Sequence, residues 1–470
     1  MIGDEQVVDL LPEHAGTGFP DGFRWGVGTS SYQVEGAADA DGKGESVWDR
    51  FCRMPGHVAN GDTGDVACDH YHRWESDLDL LVDLGVTGYR FSIAWPRVLP
   101  EGTGRVNQRG LDFYRRLVDG LLERGIRPLV TVYHWDLPQV LQDRGGWLNR
   151  DLAHIFADYT AVCADALGDR VEAWLTHNEP WVSAHVSHFL GIKPPGIRDL
   201  RGSLQVGHHV LYSHGLAVDV LRDRVRGQVG IALNAHATHP ATPGDPADEA
   251  AARRWDGYQN RWYLDALFHG RYPQDMVEFM ERKVGPLSFV REGDLRTAAR
   301  PIDFLGLNFY HRAVVRSNPS VQPLELESAP AHIVTANRKE VTPAALFEML
   351  VRLSQDYPGV PVMVTENGVA FEDPEPVAGV VEDPKRVEYF RTHLREVKRA
   401  IDAGVDVRGY YAWTLLDNFE WEKGYDIRFG IYRVDFETQE RTPKRSALWY
   451  RDFIARNGAA DLLEADEVRR

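Results

Sequence analysis

The chain has 470 residues, of which 43% are hydrophobic, so it can form a large core and is not a disordered protein. The 53 basic and 70 acidic residues give a formal net charge of −17, which argues against nucleic acid and anionic membranes as partners. Three cysteines, Cys52, Cys68 and Cys163, are too few for a disulfide framework, although a Cys52–Cys68 bridge stays open. The first twenty residues resemble no secretory signal and no segment resembles a membrane span, so we expect a cytoplasmic protein.

Short β-rich runs alternate with longer runs of helical periodicity along almost the whole chain. Eight strands are predicted, in chain order, at Phe23–Gly28, Gly88–Ile93, Arg127–Tyr133, Val171–Leu175, Val229–Leu233, Phe304–Asn308, Val362–Thr365 and Val407–Trp413. The helical runs between them end near the glycines Gly85, Gly125, Gly168 and Gly404, as C-caps do. Eight strands, each followed by a helix, predict a single (β/α)8 TIM barrel rather than a doubly wound sheet.

We assign the barrel to residues 19–457, with an N-terminal extension at 1–18 and a charged C-terminal tail at 458–470. Two insertions, Ala237–Gly257 and Arg316–Thr342, are rich in proline and other loop residues. Because such insertions in barrels usually follow the strands, we expect elaborated βα loops over the active site.

Two glutamates stand at the carboxyl ends of predicted strands. Glu179 lies in the segment Thr176-His177-Asn178-Glu179-Pro180, and Glu366 lies in Thr365-Glu366-Asn367-Gly368. Catalytic residues of barrel enzymes occupy these strand ends, and a pair of carboxylates suits acid/base chemistry at an acetal carbon. A lone glutamate at such a position is more often structural, so the pairing is the informative observation.

The ordered motifs resemble those of the family 1 glycoside hydrolases, the retaining β-glucosidase and β-galactosidase group. The matching segments run from about Phe19 to Asn457 and are Phe23–Gly26, Gln33–Gly36, Tyr89–Ser92, Tyr133–Pro138, Asn178–Pro180, Thr365–Gly368 and Trp413–Trp421. The resemblance implies hydrolysis of terminal non-reducing β-D-glucosyl residues through a covalent glycosyl-enzyme. The alternatives are a β-galactosidase or β-fucosidase, a transglycosylating member, or a non-catalytic sugar-binding relative.

By this resemblance Glu366 is the nucleophile and Glu179 is the general acid and base. Arg90 orients the nucleophile together with Tyr310. A retaining enzyme is expected to hold the two carboxyl groups about 5–5.5 Å apart.

The resemblance also implies a set of sugar-binding side chains. Asn178 would bind the 2-hydroxyl, and Trp413 would lie beneath the ring. The remaining substrate-binding positions are Gln33, His134, Asn308, Tyr310, Glu420 and Trp421. Because the carboxylate of Glu420 would repel a phosphate, we expect an unphosphorylated β-glucoside or short β-linked oligosaccharide as the partner.

No cofactor and no metal are predicted. The paired and clustered histidines, including His208 to His214, do not form a His-Glu-x-x-His pattern and are interpreted as helix packing. The sequence gives no prediction of oligomeric state. His177 and Phe309 depart from the commonest family pattern, and we expect both to alternate away from the catalytic side chains. An effect of His177 on the pKa of Glu179 stays open.

Overall fold

Eight parallel strands close into a barrel in the computed structural model, which describes residues 18–329 and 335–463. The barrel strands are β1 Arg24–Gly28, β2 Gly88–Ser92, β3 Arg127–Tyr133, β4 Ala173–Asn178, β5 Gln228–Asn234, β6 Phe304–Asn308, β7 Val362–Asn367 and β8 Val407–Trp413. Each strand pairs with its neighbours in chain order, and β8 closes the barrel on β1 with Gly26 opposite Tyr411. The predicted (β/α)8 barrel is confirmed.

Helices of eight or more residues surround the barrel. They are His70–Leu84, Gln108–Glu123, Leu152–Leu167, Leu200–Arg224, Pro246–Asp256, Trp262–His269, Gln274–Val284, Pro343–Asp356, Pro384–Asp402 and Arg445–Ala455. Shorter α-helical segments are Ser31–Val34, Val47–Cys52, Trp95–Val98, Gln139–Gln142 and Asp294–Ala298, and π-helical turns occur at Val182–Val186 and Gly257–Arg261. The main core lies between the strands and this helical layer.

The barrel interior is filled by side chains and is not a pore. One buried cluster occupies it, made of Leu129, Ala173, Leu175, Ala232, Phe304, Met363 and Tyr411. The Tyr411 ring requires a glycine beside it, because a Cβ at Gly26 would lie 2.3 Å from that ring. Packing of this kind holds the strands rigidly, so the residues at their carboxyl ends have fixed positions.

The two insertions contain regular structure. Ala237–Gly257 holds a short strand, Thr238–Pro240, and the helix Pro246–Asp256. The short strand joins Ala313–Ser317 and Leu326–Ser328 in a separate three-stranded sheet. Both insertions follow barrel strands, β5 and β6 respectively, as expected for elaborated βα loops.

The predicted terminal segments lie largely outside the described residues, which exclude 1–17 and 464–470. Within the described part of the tail, the backbone oxygen of Leu463 accepts a hydrogen bond from Arg391 at 3.1 Å. The domain boundaries therefore stay predictions. All three cysteines are buried and free, so Cys52 and Cys68 do not form a bridge. Within 18–329 and 335–463, no helix combines the length and the apolar character needed to cross a membrane.

Candidate active site

Glu179 and Glu366 reach the same mouth of the barrel from strands β4 and β7. Glu366 lies within β7, whereas Glu179 directly follows β4 with a left-handed φ of 48°. The side chains of Asn178 and Glu179 therefore do not alternate as strand neighbours do. The amide of Asn308 donates to both of them, at 2.9 Å to Asn178 and 2.7 Å to Glu179. The left-handed turn thus brings two consecutive polar side chains into one site.

The carboxylate of Glu366 is held by two donors. Arg90 Nη1 lies 2.5 Å from one oxygen, and the Tyr310 hydroxyl donates to the other at 2.6 Å. Arg90 is completely buried, so its charge is poorly screened by water. Each oxygen of Glu366 is therefore fixed in orientation, with a full positive charge against one side.

Glu179 has a different environment from Glu366. Burial raises its pKa to about 8, and the negative charge of Glu366 adds to the increase. The hydrogen bond from Asn308 and the charges of Arg90 and Lys193 lower the pKa of Glu179, but they do not cancel the increase. Glu179 is consequently protonated at neutral pH and can donate a proton.

A hydrogen-bond chain connects the two carboxyl groups to His134. Arg90 Nη2 donates to Asn178 Oδ1 at 2.6 Å, and Asn178 Nδ2 lies 3.0 Å from His134 Nε2. Burial and the nearby charge of Arg90 lower the pKa of His134 well below its usual value, so the ring is neutral. Its Nε2 then accepts from Asn178 and its Nδ1 carries the proton. That Nδ1 is buried and has no partner among the described residues.

Gln33 and Glu420 form a second polar group in the site. Gln33 Nε2 lies 3.2 Å from a carboxylate oxygen of Glu420, and Ser30 donates to Gln33 Oε1 at 2.6 Å. Burial raises the pKa of Glu420 to about 8, and Lys193 is the main opposing charge. The pair offers both donor and acceptor capacity to hydroxyl groups.

Aromatic rings border these polar groups. Trp413 and Trp421 both stack near the His134 ring, with centroid distances of 6.0 Å and 5.9 Å. Trp421 also packs against Trp48 at 4.6 Å and Trp135 at 4.8 Å. Such faces suit the C–H surfaces of a sugar.

Comparison with known proteins identifies the family. Residues 15–459 match the model of glycosyl hydrolase family 1. The chain belongs to glycosyl hydrolase family 1. The family predicted from the sequence motifs is confirmed, and with it the expectation that the protein is a glycoside-hydrolysing enzyme.

The named relatives of this family 1 glycosyl hydrolase include β-glucosidases. A β-glucosidase A of Acetivibrio thermocellus is 47% identical over 94% of this chain and 99% of its own length. A bifunctional β-D-glucosidase/β-D-fucosidase of Bifidobacterium breve is 46% identical, again over 94% of this chain and 99% of its own. The solved structure of a β-glucosidase from Thermotoga maritima in complex with deoxynojirimycin is 43% identical with a TM-score of 0.89, and covers 94% of this chain and all of that one.

The structure of this glycosyl hydrolase brings every predicted site residue to the same mouth. Hydrogen bonds and ring contacts link Gln33, Arg90, His134, Asn178, Glu179, Asn308, Tyr310, Glu366, Trp413, Glu420 and Trp421. Two further residues were missed by the sequence reasoning. Trp135, which donates to the Asn178 carbonyl at 2.8 Å, lies inside a recognised motif and could have been found there. Lys193 lies in a loop with no local signal.

The two residues that depart from the common family pattern face away from the site. His177 is buried, its Nε2 lies 2.9 Å from the Ser213 hydroxyl, and its ring packs against Phe156 at 4.4 Å. Phe309 is also buried in the main core. The expected packing role of both is confirmed by these contacts, and burial keeps His177 neutral by lowering its pKa.

The histidine cluster also packs the helical layer. His208 lies 2.8 Å from Asp294, and His214 lies 2.7 Å from Thr176. Across the two described ranges, no three histidine, cysteine, aspartate or glutamate side chains are arranged to hold a metal ion.

Proposed function

We propose that this family 1 enzyme is a retaining β-glucosidase acting on unphosphorylated β-glucosides, with Glu366 as nucleophile and Glu179 as general acid and base. The observation that carries the proposal is the contrast between the two carboxyl groups. Glu366 accepts hydrogen bonds from Arg90 and Tyr310, whereas burial raises the pKa of Glu179 to about 8. The β-glucosidases among the relatives support the same substrate class.

The first step forms a glycosyl-enzyme. A Glu366 oxygen attacks the anomeric carbon as the bond from that carbon to the leaving oxygen breaks. Glu179 gives its proton to the leaving oxygen, so the aglycone departs as a neutral alcohol. Arg90 and Tyr310 hold the attacking oxygen in position through the contacts already described.

The second step hydrolyses the intermediate. Glu179, now ionised, takes a proton from water while the water oxygen attacks the anomeric carbon and Glu366 is released. Two inversions at that carbon retain its configuration. The change of role of Glu179 follows from electrostatics, because the charge of Glu366 that helps raise its pKa is lost in the ester.

The remaining site residues would bind the sugar. Asn178 would hydrogen-bond the 2-hydroxyl, and Trp413 would support the ring. Gln33, His134, Glu420 and Trp421 would contact hydroxyls farther from the anomeric carbon. Asn308 would act by fixing both Asn178 and Glu179, to which it donates.

Replacement of the nucleophile tests the proposal. Glu366→Gly should abolish hydrolysis of an aryl β-glucoside, and azide or formate should restore turnover by occupying the space of the lost carboxylate. The matched control is Glu372→Gly, which removes an exposed carboxylate six residues on and should keep the wild-type rate. Failure of both anions to restore any turnover in a folded variant would contradict the assignment.

A β-fucosidase activity is the second candidate. It is favoured by the bifunctional relative from Bifidobacterium breve. Rates on aryl β-glucosides, β-galactosides and β-fucosides would rank the three sugars, and product analysis at high acceptor concentration would measure transglycosylation. A cytoplasmic location stays a prediction.

A further inference from the structure

Lys193 places an ammonium group among three indole rings at the sugar-binding end of the site. Its Nζ lies 5.1 Å from the ring centroids of both Trp135 and Trp421 and 5.4 Å from that of Trp48. The same atom pairs with Glu422 at 3.0 Å, and only 12% of the side chain is exposed. Cations at this distance from aromatic faces are attracted to them, more strongly when water is excluded.

The position of Lys193 is fixed by its own loop, which lies between the π-helical turn Val182–Val186 and the helix Leu200–Arg224. The N–H of Gly196 donates to the Lys193 carbonyl at 2.9 Å, and the N–H of Ile192 donates to Val186 at 3.1 Å. The backbone on both sides of the lysine is thus held. The position of the ammonium group is therefore fixed by the backbone as well as by the contacts with the tryptophans.

The charge of Lys193 acts most strongly on the segment that begins at Glu420. Burial raises the pKa of Glu420, the negative charges of Glu422 and Glu366 raise it further, and the hydrogen bond from Gln33 lowers it. Lys193 is the strongest influence in the lowering direction. Lys193 therefore acts on three consecutive residues of this segment. It contacts the Trp421 ring, pairs with Glu422 and opposes the protonation of Glu420.

We propose that Lys193 is a positioning residue that holds Trp421 and Glu420 in the orientation that binds the sugar hydroxyls farthest from the anomeric carbon. The proposal rests on the assignment of Glu420 and Trp421 to the sugar site. It makes Lys193 a determinant of sugar affinity although it lies outside the strand-end motifs. The competing role is a purely structural clamp between two loops.

Lys193→Met removes the charge and keeps most of the aliphatic stem. At neutral pH we expect KM for an aryl β-glucoside to rise about tenfold or more, the equivalent of one lost polar contact, with kcat changed less than about threefold. Because Glu420 then titrates at higher pH, the pH dependence of KM should also move to higher pH. Lys193→Arg retains a cation beside the aromatic rings and should raise KM less than Lys193→Met does.

Lys423→Met is the matched control, since it removes an exposed lysine from the same segment and should leave KM and its pH dependence unchanged. An unaltered KM and pH dependence in Lys193→Met, with only a lower Tm, would overturn the proposal in favour of the structural clamp. The wild-type rate on β-glucosides is measured in the same experiment. Its absence would refute the proposed β-glucosidase function instead, so the two failures are distinguishable.

Discussion

Glu179 and Glu366 show how one residue type acquires two chemical roles from its surroundings. Arg90 and Tyr310 each donate to Glu366, while Glu179 accepts from Asn308 and lies buried beside a second negative charge. Neither environment is local in sequence. The distinction comes from strands β2, β4, β6 and β7 ending at one mouth of the barrel.

The raised pKa of Glu179 predicts the alkaline limb of the pH–rate profile. A general acid works only while protonated, so kcat/KM should be retained below about pH 8 and fall as pH rises through that value. In Glu179→Gln no group at this position titrates, so the limb should become shallower, with only the titration of Glu420 left; an aryl glycoside with a good leaving group, which depends least on the acid, keeps the rate measurable. Measurement of kcat/KM against pH for both proteins checks the assignment.

Glu172→Gln provides the control for the pH profile. Glu172 precedes β4 and pairs with Arg24 and Arg127 at the opposite end of the strand from Glu179. Its replacement should leave the alkaline limb in place even if stability falls. A limb that persists unchanged in Glu179→Gln would show that another group titrates there.

The predictability of site residues depends on whether they lie in strand-end motifs. Nine of the eleven predicted side chains lie in the family motifs, and the other two, Asn308 and Tyr310, lie at or just beyond the end of β6. The barrel brings all of these segments together. Lys193 follows a π-helical turn in a long loop, and its contacts with Trp48 and Trp421 span more than 140 residues of sequence. Local periodicity carries no information on such contacts, so the sequence could not reveal it.

At the scale of elements, strand existence was easier to predict than strand boundaries. The predicted strand Val171–Leu175 lies at Ala173–Asn178, two residues later at its start. The early start of the prediction included Glu172, whose side chain forms ion pairs at the rim of the barrel. The observed strand runs up to Glu179, so the glutamate lies directly at the carboxyl end of a barrel strand.

The carboxyl ends of β7 and β8 meet at Gly368, where a Cβ would lie 1.7 Å from the backbone oxygen of Trp413. Gly368→Ala should therefore push the two strand ends apart and displace Glu366 and Trp413. A shift of about 1 Å in catalytic geometry costs roughly 100-fold in rate, and we expect a loss of kcat/KM of at least that order. Kinetics on an aryl β-glucoside, together with circular dichroism for folding, measure it.

Gly359→Ala is the control that separates the steric clash at Gly368 from the effect of replacing any glycine that has a positive φ. Gly359 has a φ of 87° and open space at its Cβ position, so alanine there adds backbone strain of about 1–2 kcal/mol without a clash. This variant should lose stability and keep its activity. Full activity in Gly368→Ala would show that the two strand ends can separate without cost to the site.

At the scale of the whole molecule, the regular alternation of strands and helices was sufficient to predict the closed barrel. The pattern could not reveal the ion pairs that join distant parts of the chain. Lys444 bonds Asp417 at 2.7 Å and Asp373 at 2.5 Å, and Arg386 pairs with Asp373 and Asp383. Their side chains are 3% exposed or less. This ionic cluster connects the loops that follow β7 and β8 to the C-terminal helix Arg445–Ala455.

Removal of Lys444 should destabilise the whole fold, because its loss leaves Asp417 and Asp373 buried with less compensating charge. Breaking a buried ion pair from one side costs about 3–5 kcal/mol, so Lys444→Met should lower the free energy of unfolding by that order. Arg445→Met breaks only the exposed pair with Glu382 and should cost about 0–1 kcal/mol. Denaturant unfolding of the two neighbouring variants at neutral pH compares them directly.

The stabilisation from the ionic cluster should also depend on pH. Burial favours the neutral form of Asp373, but the charges of Lys444 and Arg386 outweigh it and lower its pKa below the usual value. A carboxyl group with a lowered pKa stabilises the fold above its unfolded-state pKa, and this contribution disappears as pH falls through the folded-state pKa. The stability difference between wild type and Lys444→Met should therefore shrink in acid. A difference that stayed constant down to about pH 3, below the ordinary aspartate pKa, would assign the loss to packing of the lysine stem rather than to its charge.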